Sequence, residues 1–213
     1  MFDIWSMIYS FPVILVALTF HEFAHGYTAH LLGDPTPKQQ GRLTLNPLAH
    51  LDLLGTLMML VARFGWAKPV QVNPFYFKGD RQRGMLLVAL AGPLANILVA
   101  FIGALLYNLF GVHSETVLMD YNYFSFFLRN LVSINIYLAL FNLIPVPPLD
   151  GSKILLGLLP RKYHESIYAI EAYGPMILML LILTNITGRV LVPIARVVIK
   201  SLDFITYFIV SAF

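Results

Sequence analysis

Long stretches without formal charge constrain this chain more than any other feature. Met85 to Val112 carries no Asp, Glu, Lys or Arg over 28 residues. Ile4 to His21, Asn130 to Leu149 and Ala172 to Gly188 are equally uncharged. A helix that crosses a bilayer needs roughly 20 mostly apolar residues. The runs therefore predict spans near 5–31, 84–111, 123–145 and 168–187. A shorter apolar run, 51–62, reads as re-entrant or packed against the bundle. Charged residues make up 12% of the chain and the mean hydropathy is +0.75, where a soluble domain carries about 25% charged residues. The solvent for most of this surface is lipid. The first run lacks a basic leader and a small-residue cleavage site, so it reads as retained structure rather than a signal peptide.

The charges that remain set an orientation. Lys38, Arg42, Arg63, Lys68, Lys78, Arg81 and Arg83 fall between the first two spans, and Arg161 and Lys162 between the third and fourth. Residues 112–122 hold no Lys or Arg. By the positive-inside rule, 32–83 and 158–167 face the cytoplasm, and the N-terminus and 112–122 lie outside. The net charge of +3 is then a topology signal and gives no reason to expect nucleic acid. In the C-terminal stretch Arg189, Arg196 and Asp203 recur every seven residues. That pattern fits a tilted fifth span or an amphipathic interfacial helix, and the span is preferred. Segment 66–78 holds two prolines and alternates Val70 and Val72 with polar residues, which predicts one or two short strands or a hairpin dipping into the membrane. The expected architecture is an all-α polytopic membrane bundle of about four to six transmembrane helices with that small β element. It forms one domain over 1–213, with a core at 5–160 and C-terminal helices at 168–213.

His21-Glu22-Phe23-Ala24-His25 closes the first run. Residues i and i+4 share a helix face, so both imidazoles can reach one metal ion, with Glu22 placed to reach a water the metal activates. Ionisable groups at membrane depth are costly and rare unless they work. Two histidines leave a catalytic zinc one protein ligand short. The chain has no cysteine, so the third ligand is His, Asp or Glu. His30 follows His25 by five residues, which turns it to the wrong face. Asp150 is the better candidate. Three prolines, Pro145, Pro147 and Pro148, break the helix just before it, and broken backbone is tolerated in a membrane only when buried or lining a wet cavity.

The pairing of HEFAH with NLIPVPPLDG (Asn142 to Gly151) resembles the site-2 protease family of intramembrane zinc metalloproteases. Gly41 to Asp52, the KPVQVNP segment and AGPLAN (Ala91 to Asn96) also match its short bacterial and archaeal members, so that the likeness covers roughly 5–160. It implies one zinc ion held by His21, His25 and Asp150, Glu22 as catalytic acid and base, and Asn142 as a substrate-positioning residue. It also implies a transmembrane protein as substrate, cleaved within a cell membrane at a site toward the cytoplasmic side. The PDZ insertion and CBS pair of some members are not present in these 213 residues.

Other residues carry alternatives. Asn96 serves helix packing or the edge of the substrate site, and Asn135 is similar. Val70 and Val72 belong to an edge against which an unwound substrate would lie. His50 and Asp52 either order a polar loop, the preferred reading, or bind a second metal. Arg129 snorkels or pairs with a polar group. A zinc or proton transporter, or an inactive relative that only binds membrane proteins, are the competing functions.

Overall fold

The computed structural model describes residues 4–62, 65–110 and 121–212. Its regular elements are helices throughout. Helix α1 (Ile4–Leu31) is followed by the single-turn α2 (Thr36–Gln39) and by α3 (Leu53–Ala62). Then come the two long apolar helices α4 (Arg81–Leu109) and α5 (Tyr121–Asn142). Beyond the proline-rich break lie α6 (Asp150–Leu158), α7 (His164–Glu171), α8 (Gly174–Leu183) and α9 (Ile186–Ser211). Among the described residues α4 and α5 are long and apolar enough to cross a membrane. Helices α8 and α9, bent by 75° at their junction, make a third span if taken together.

Helix α4 is the axis of the bundle and packs against α1, α5, α6 and α9. Every fourth residue along it is buried: Gly84, Val88, Gly92, Asn96, Ala100, Ala104 and Asn108. Small side chains let neighbouring backbones approach closely. In lipid that supplies the dispersion contact which replaces a hydrophobic drive between helices. Ala100 and Ala104 meet Val132 and Ile136 of α5 and Ala195 of α9 in one cluster. Val99 meets Val13, Leu128 and Leu131 in another. Gln82 on the first turn of α4 donates to the carbonyls of Leu156, Gly157 and Leu159. It thereby satisfies the open C-terminal end of α6 and fixes α6 beside α4.

Several expectations change. The β-hairpin is not formed: among the described residues there is no strand, only one isolated antiparallel bridge, Leu51–Ala67. Pro69 and Pro74 have no N–H for a ladder. Three further amides are spent elsewhere: Val70 N–H on Glu22, Asn73 N–H on Asp34, and Lys78 N–H on Leu32 O. The expected span at 168–187 is divided into α7 and α8. Gly174 sits so close to Pro147 that a Cβ would lie 2.7 Å from the proline's own, and Pro175 starts a new helix there. The expected fifth span is α9, which packs on α4 and α5 and has the length and hydropathy of a span only together with α8. The 112–122 loop falls almost wholly outside the described residues.

Candidate metal centre

Three elements build the site. Helix α1 runs past its apolar stretch without a break, so His21 and His25 stand one turn apart on the face turned to α4. Helix α5 ends at Asn142 and the chain resumes as α6 at Asp150, the unwinding that the prolines predict. Gly151 closes that return: a Cβ there would collide with the carbonyl oxygens of Leu143 and Ile144. The first carboxylate of α6 is thereby delivered to the histidines. His21 Nε2 lies 3.1 Å from Asp150 Oδ2, His25 Nε2 lies 3.0 Å from the same oxygen, and the two Nε2 atoms are 3.0 Å apart. All three side chains are buried.

The partners behind the rings decide what this cluster is. His25 Nδ1 lies 2.7 Å from the carbonyl oxygen of Val88. A carbonyl only accepts, so Nδ1 carries the proton and Nε2 presents its lone pair. His21 Nδ1 lies 2.7 Å from Asn96 Oδ1. Asn96 cannot be turned round, because its Nδ2 donates to Ala17 O at 2.9 Å and to Asn135 Oδ1 at 2.8 Å. Asn135 in turn is oriented by donating to Leu131 O. His21 Nδ1 therefore also carries a proton, and in the neutral ring its Nε2 points a lone pair inward. Two imidazole Nε2 atoms and a carboxylate oxygen converge on one point, an arrangement that a shared cation stabilises, either a proton on a ring nitrogen or a metal ion. Donors sharing a zinc ion at about 2.0–2.2 Å lie about 3.3–3.6 Å apart, a few tenths of an ångström wider than these. His21, His25 and Asp150 fit a metal ion, and among the described residues they form the one such group.

Gly92 is a site residue that motif reading misses. A Cβ on it would overlap His25 Nε2 and stand 2.6 Å from His21 Cε1, so the rings occupy the space a side chain would fill. Next to it, Pro93 lacks the N–H that would bond Ala89 O, and the neighbouring carbonyl, Val88 O, accepts from His25. The sequence signal was present in AGPLAN, as a Gly-Pro pair one turn before an amide.

Glu22 faces a cavity of about 700 Å³ whose wall also holds His21, Asn142, Leu149, Trp66 and, from α8, Leu178. The lining is mostly apolar with a few convergent polar groups, the usual make-up of a ligand site. Glu22 Oε2 accepts from Val70 N–H at 2.9 Å. Asn142 Nδ2 donates to Leu138 O one turn back. Asn96 is fully buried behind His21 and away from the cavity wall. It joins α1 and α5 to α4 and orients the His21 ring. Val70 and Val72 turn their side chains to the bundle: Val70 Cγ1 lies against Gly26, and Val72 packs beside Ala29, Phe77 and Val88. His30 lines a separate pocket with Phe23 and Tyr27. Arg129 sits over the Tyr107 ring at 5.8 Å.

The comparisons agree with this chemistry. The family model for peptidase family M50 matches residues 108–183, which include Asn142 and Asp150. The protein named Putative zinc metalloprotease YwhC of Bacillus subtilis is 41% identical over 192 residues, covering 88% of this chain and 85% of its own length. Putative zinc metalloprotease Rip2 of Mycobacterium tuberculosis (strain H37Rv) is 30% identical over 175 residues, 79% of this chain and 64% of its own. Zinc metalloprotease MJ0392 of Methanocaldococcus jannaschii is 23% identical over 159 residues, 75% of this chain and 36% of its own. No solved structure matches.

Proposed function

The chain belongs to peptidase family M50, the site-2 protease family, and from that premise we propose that it hydrolyses peptide bonds within or near transmembrane segments of other membrane proteins. The observation that carries this reading is the position of Glu22. It shares one apolar-walled cavity with His21 and Asn142, one residue from the first metal ligand. When bound, zinc supplies Lewis acidity, which activates a water and polarises a carbonyl. The Glu22 carboxylate takes the proton of the attacking water and passes it to the leaving amine. Its Oε2 is held by the Val70 amide, which leaves Oε1 for that proton. Asn142 holds the substrate backbone or the developing oxyanion. A helical substrate hides its amides in internal hydrogen bonds, so it must unwind before entering. Trp66 and Ala67 along the cavity wall give it an extended surface to lie against.

The protein then resides in the cell membrane as a multi-pass chain, with α1, α4 and α5 crossing. The excess of Lys and Arg over 32–83 sets the metal centre toward the cytoplasm and the N-terminus outside. The test is a comparison of membrane-protein fragments, by mass spectrometry, in cells carrying the wild type or Glu22→Gln. Fragments made only by the wild type are expected, with zinc retained by both forms. Zinc flux into vesicles that persists in Glu22→Gln, with no fragment ever found, would replace the protease by a transporter.

A further inference from the structure

The loop from Gly41 to Asp52 has no part in the metal centre, yet it is stitched together unusually tightly. Gly41 takes the left-handed conformation, φ +66°. Asn46 N–H donates to Thr44 Oγ1, Asn46 Oδ1 accepts from Leu48 N–H, and Asp52 Oδ1 accepts from Gly55 N–H. Arg42 and His50 are buried, at 4% and 1% exposure. His50 Nε2 donates to Thr44 O at 2.8 Å. Two of the groups that reach out of this knot go to one place. Arg42 Nη1 donates to Ala49 O and, at 3.3 Å, to Lys68 O. His50 O accepts from Lys68 N–H at 2.9 Å. Residue 68 is held on both sides. Pro69 follows, with its φ locked, and the next amide is Val70 N–H, the donor to Glu22.

We propose that Arg42 and His50 are positioning residues for the reaction: they clamp residue 68, and through the rigid Pro69 they set the Val70 amide that orients the Glu22 carboxylate. The proposal rests on Glu22 acting as the acid and base. The far side of Val70 is anchored independently, by Asn73 N–H on Asp34 Oδ2 at 2.7 Å. Only the 68 side therefore depends on the knot. A general base contributes fully only when it is held in a productive geometry, and a misplacement of about 1 Å costs about 100-fold. Glu22 sits on an unbroken helix, but its carboxylate rotates about three torsions, and the Val70 amide is the hydrogen bond that removes this freedom.

The test uses the full-length protein in detergent, with a quenched fluorescent transmembrane peptide as probe. Five variants are compared: Arg42→Met, Pro69→Gly, the double variant, His50→Gln and His50→Leu. Gln keeps a donor at the position of Nε2, and Leu does not. Arg42→Met is expected to lower kcat about 10- to 100-fold with KM and zinc content unchanged, and to speed hydrogen exchange at the Val70 amide at least tenfold while α1, α4 and α5 stay protected. Pro69→Gly should do the same, and the double variant should be no worse than either, since both act through one amide. His50→Gln should keep activity that His50→Leu loses. Unchanged Val70 exchange in Arg42→Met, additive losses in the double variant, or kcat falling together with zinc content would each overturn the clamp. A wild type that cuts no peptide, while Arg42→Met still frees the Val70 amide, would overturn the protease reading and with it the positioning role, leaving the clamp as structure alone.

Discussion

Two asparagines on α4, Asn96 and Asn108, lie twelve residues apart on the same buried row, about 18 Å along the helix. Both tie α4 to neighbours at depths where water is scarce, and they end differently. Asn96 uses both amide hydrogens and its oxygen, on Ala17 O, Asn135 Oδ1 and His21 Nδ1. Its bonds connect three helices and finish on a ring whose other nitrogen points at Asp150. Asn108 Nδ2 reaches Thr206 Oγ1 at 2.8 Å and Asp203 Oδ1 at 3.2 Å on α9, and its Oδ1 has no hydrogen-bond partner among the described residues. That second cluster closes on a neighbouring helix and holds it. The first cluster sets the proton positions of a site 75 residues away in sequence. A buried polar group in a membrane protein is therefore read by where its chain of bonds terminates.

The contrast can be broken at four points. Gly92→Ala is expected to have the largest effect, with zinc content falling close to zero by elemental mass spectrometry, because the new Cβ takes the space of both rings. Gly103→Ala on the same helix meets only Leu131 and Val132 side chains at 3.3 Å and should keep its zinc. Asn96→Leu removes the acceptor that fixes the His21 tautomer. Loss of such a partner lowers metal affinity about 10- to 100-fold, readable by competition with a chelator. Asn108→Leu should leave zinc affinity unchanged and lower stability in detergent by about 0.6–1.7 kcal/mol, the range for one interhelical hydrogen bond. If Asn108→Leu weakened zinc as much as Asn96→Leu, the distinction between the two clusters would be lost.

The smallest effect is expected at the start of α4, outside the bundle. The Arg83 backbone N–H donates to the Asp80 carboxylate at 2.8 Å and holds its pKa below the usual carboxylate value. Some desolvation works against this, and Arg161 at 3.5 Å adds to it. A lowered folded-state pKa contributes stability above the ordinary carboxylate range and loses it as pH falls through the lowered value. Asp80→Ala should therefore be slightly less stable than the wild type near neutral pH, with the gap shrinking on acidification in parallel melting curves.

The three converging side chains, His21, His25 and Asp150, were legible because their chemistry is local. HEFAH sets its own geometry on a helix, and three prolines before Asp150 announce a break that only a buried role explains. The roles of Asn96 and Gly92 were not legible in that way. An amide and a missing side chain acquire meaning only when α1 is laid across α4, which no spacing within α4 reveals. Val70 and Val72 misled because their alternation imitates a strand. The decisive facts were two prolines without donors and a carboxylate on α1 that takes the Val70 amide. The C-terminal helices were misread in their breaks, since the stop at Gly174 is imposed by Pro147 from a distant part of the chain.

The most direct test of the metal centre is X-ray absorption at the zinc edge on the purified protein and on Asp150→Ala. One zinc per chain is expected in the wild type, bound only by nitrogen and oxygen, with the scattering signature of two imidazoles. The aspartate variant should lose the ion or change its coordination. A wild type that binds no zinc, or a spectrum that Asp150→Ala leaves untouched, would contradict the site built from His21, His25 and Asp150.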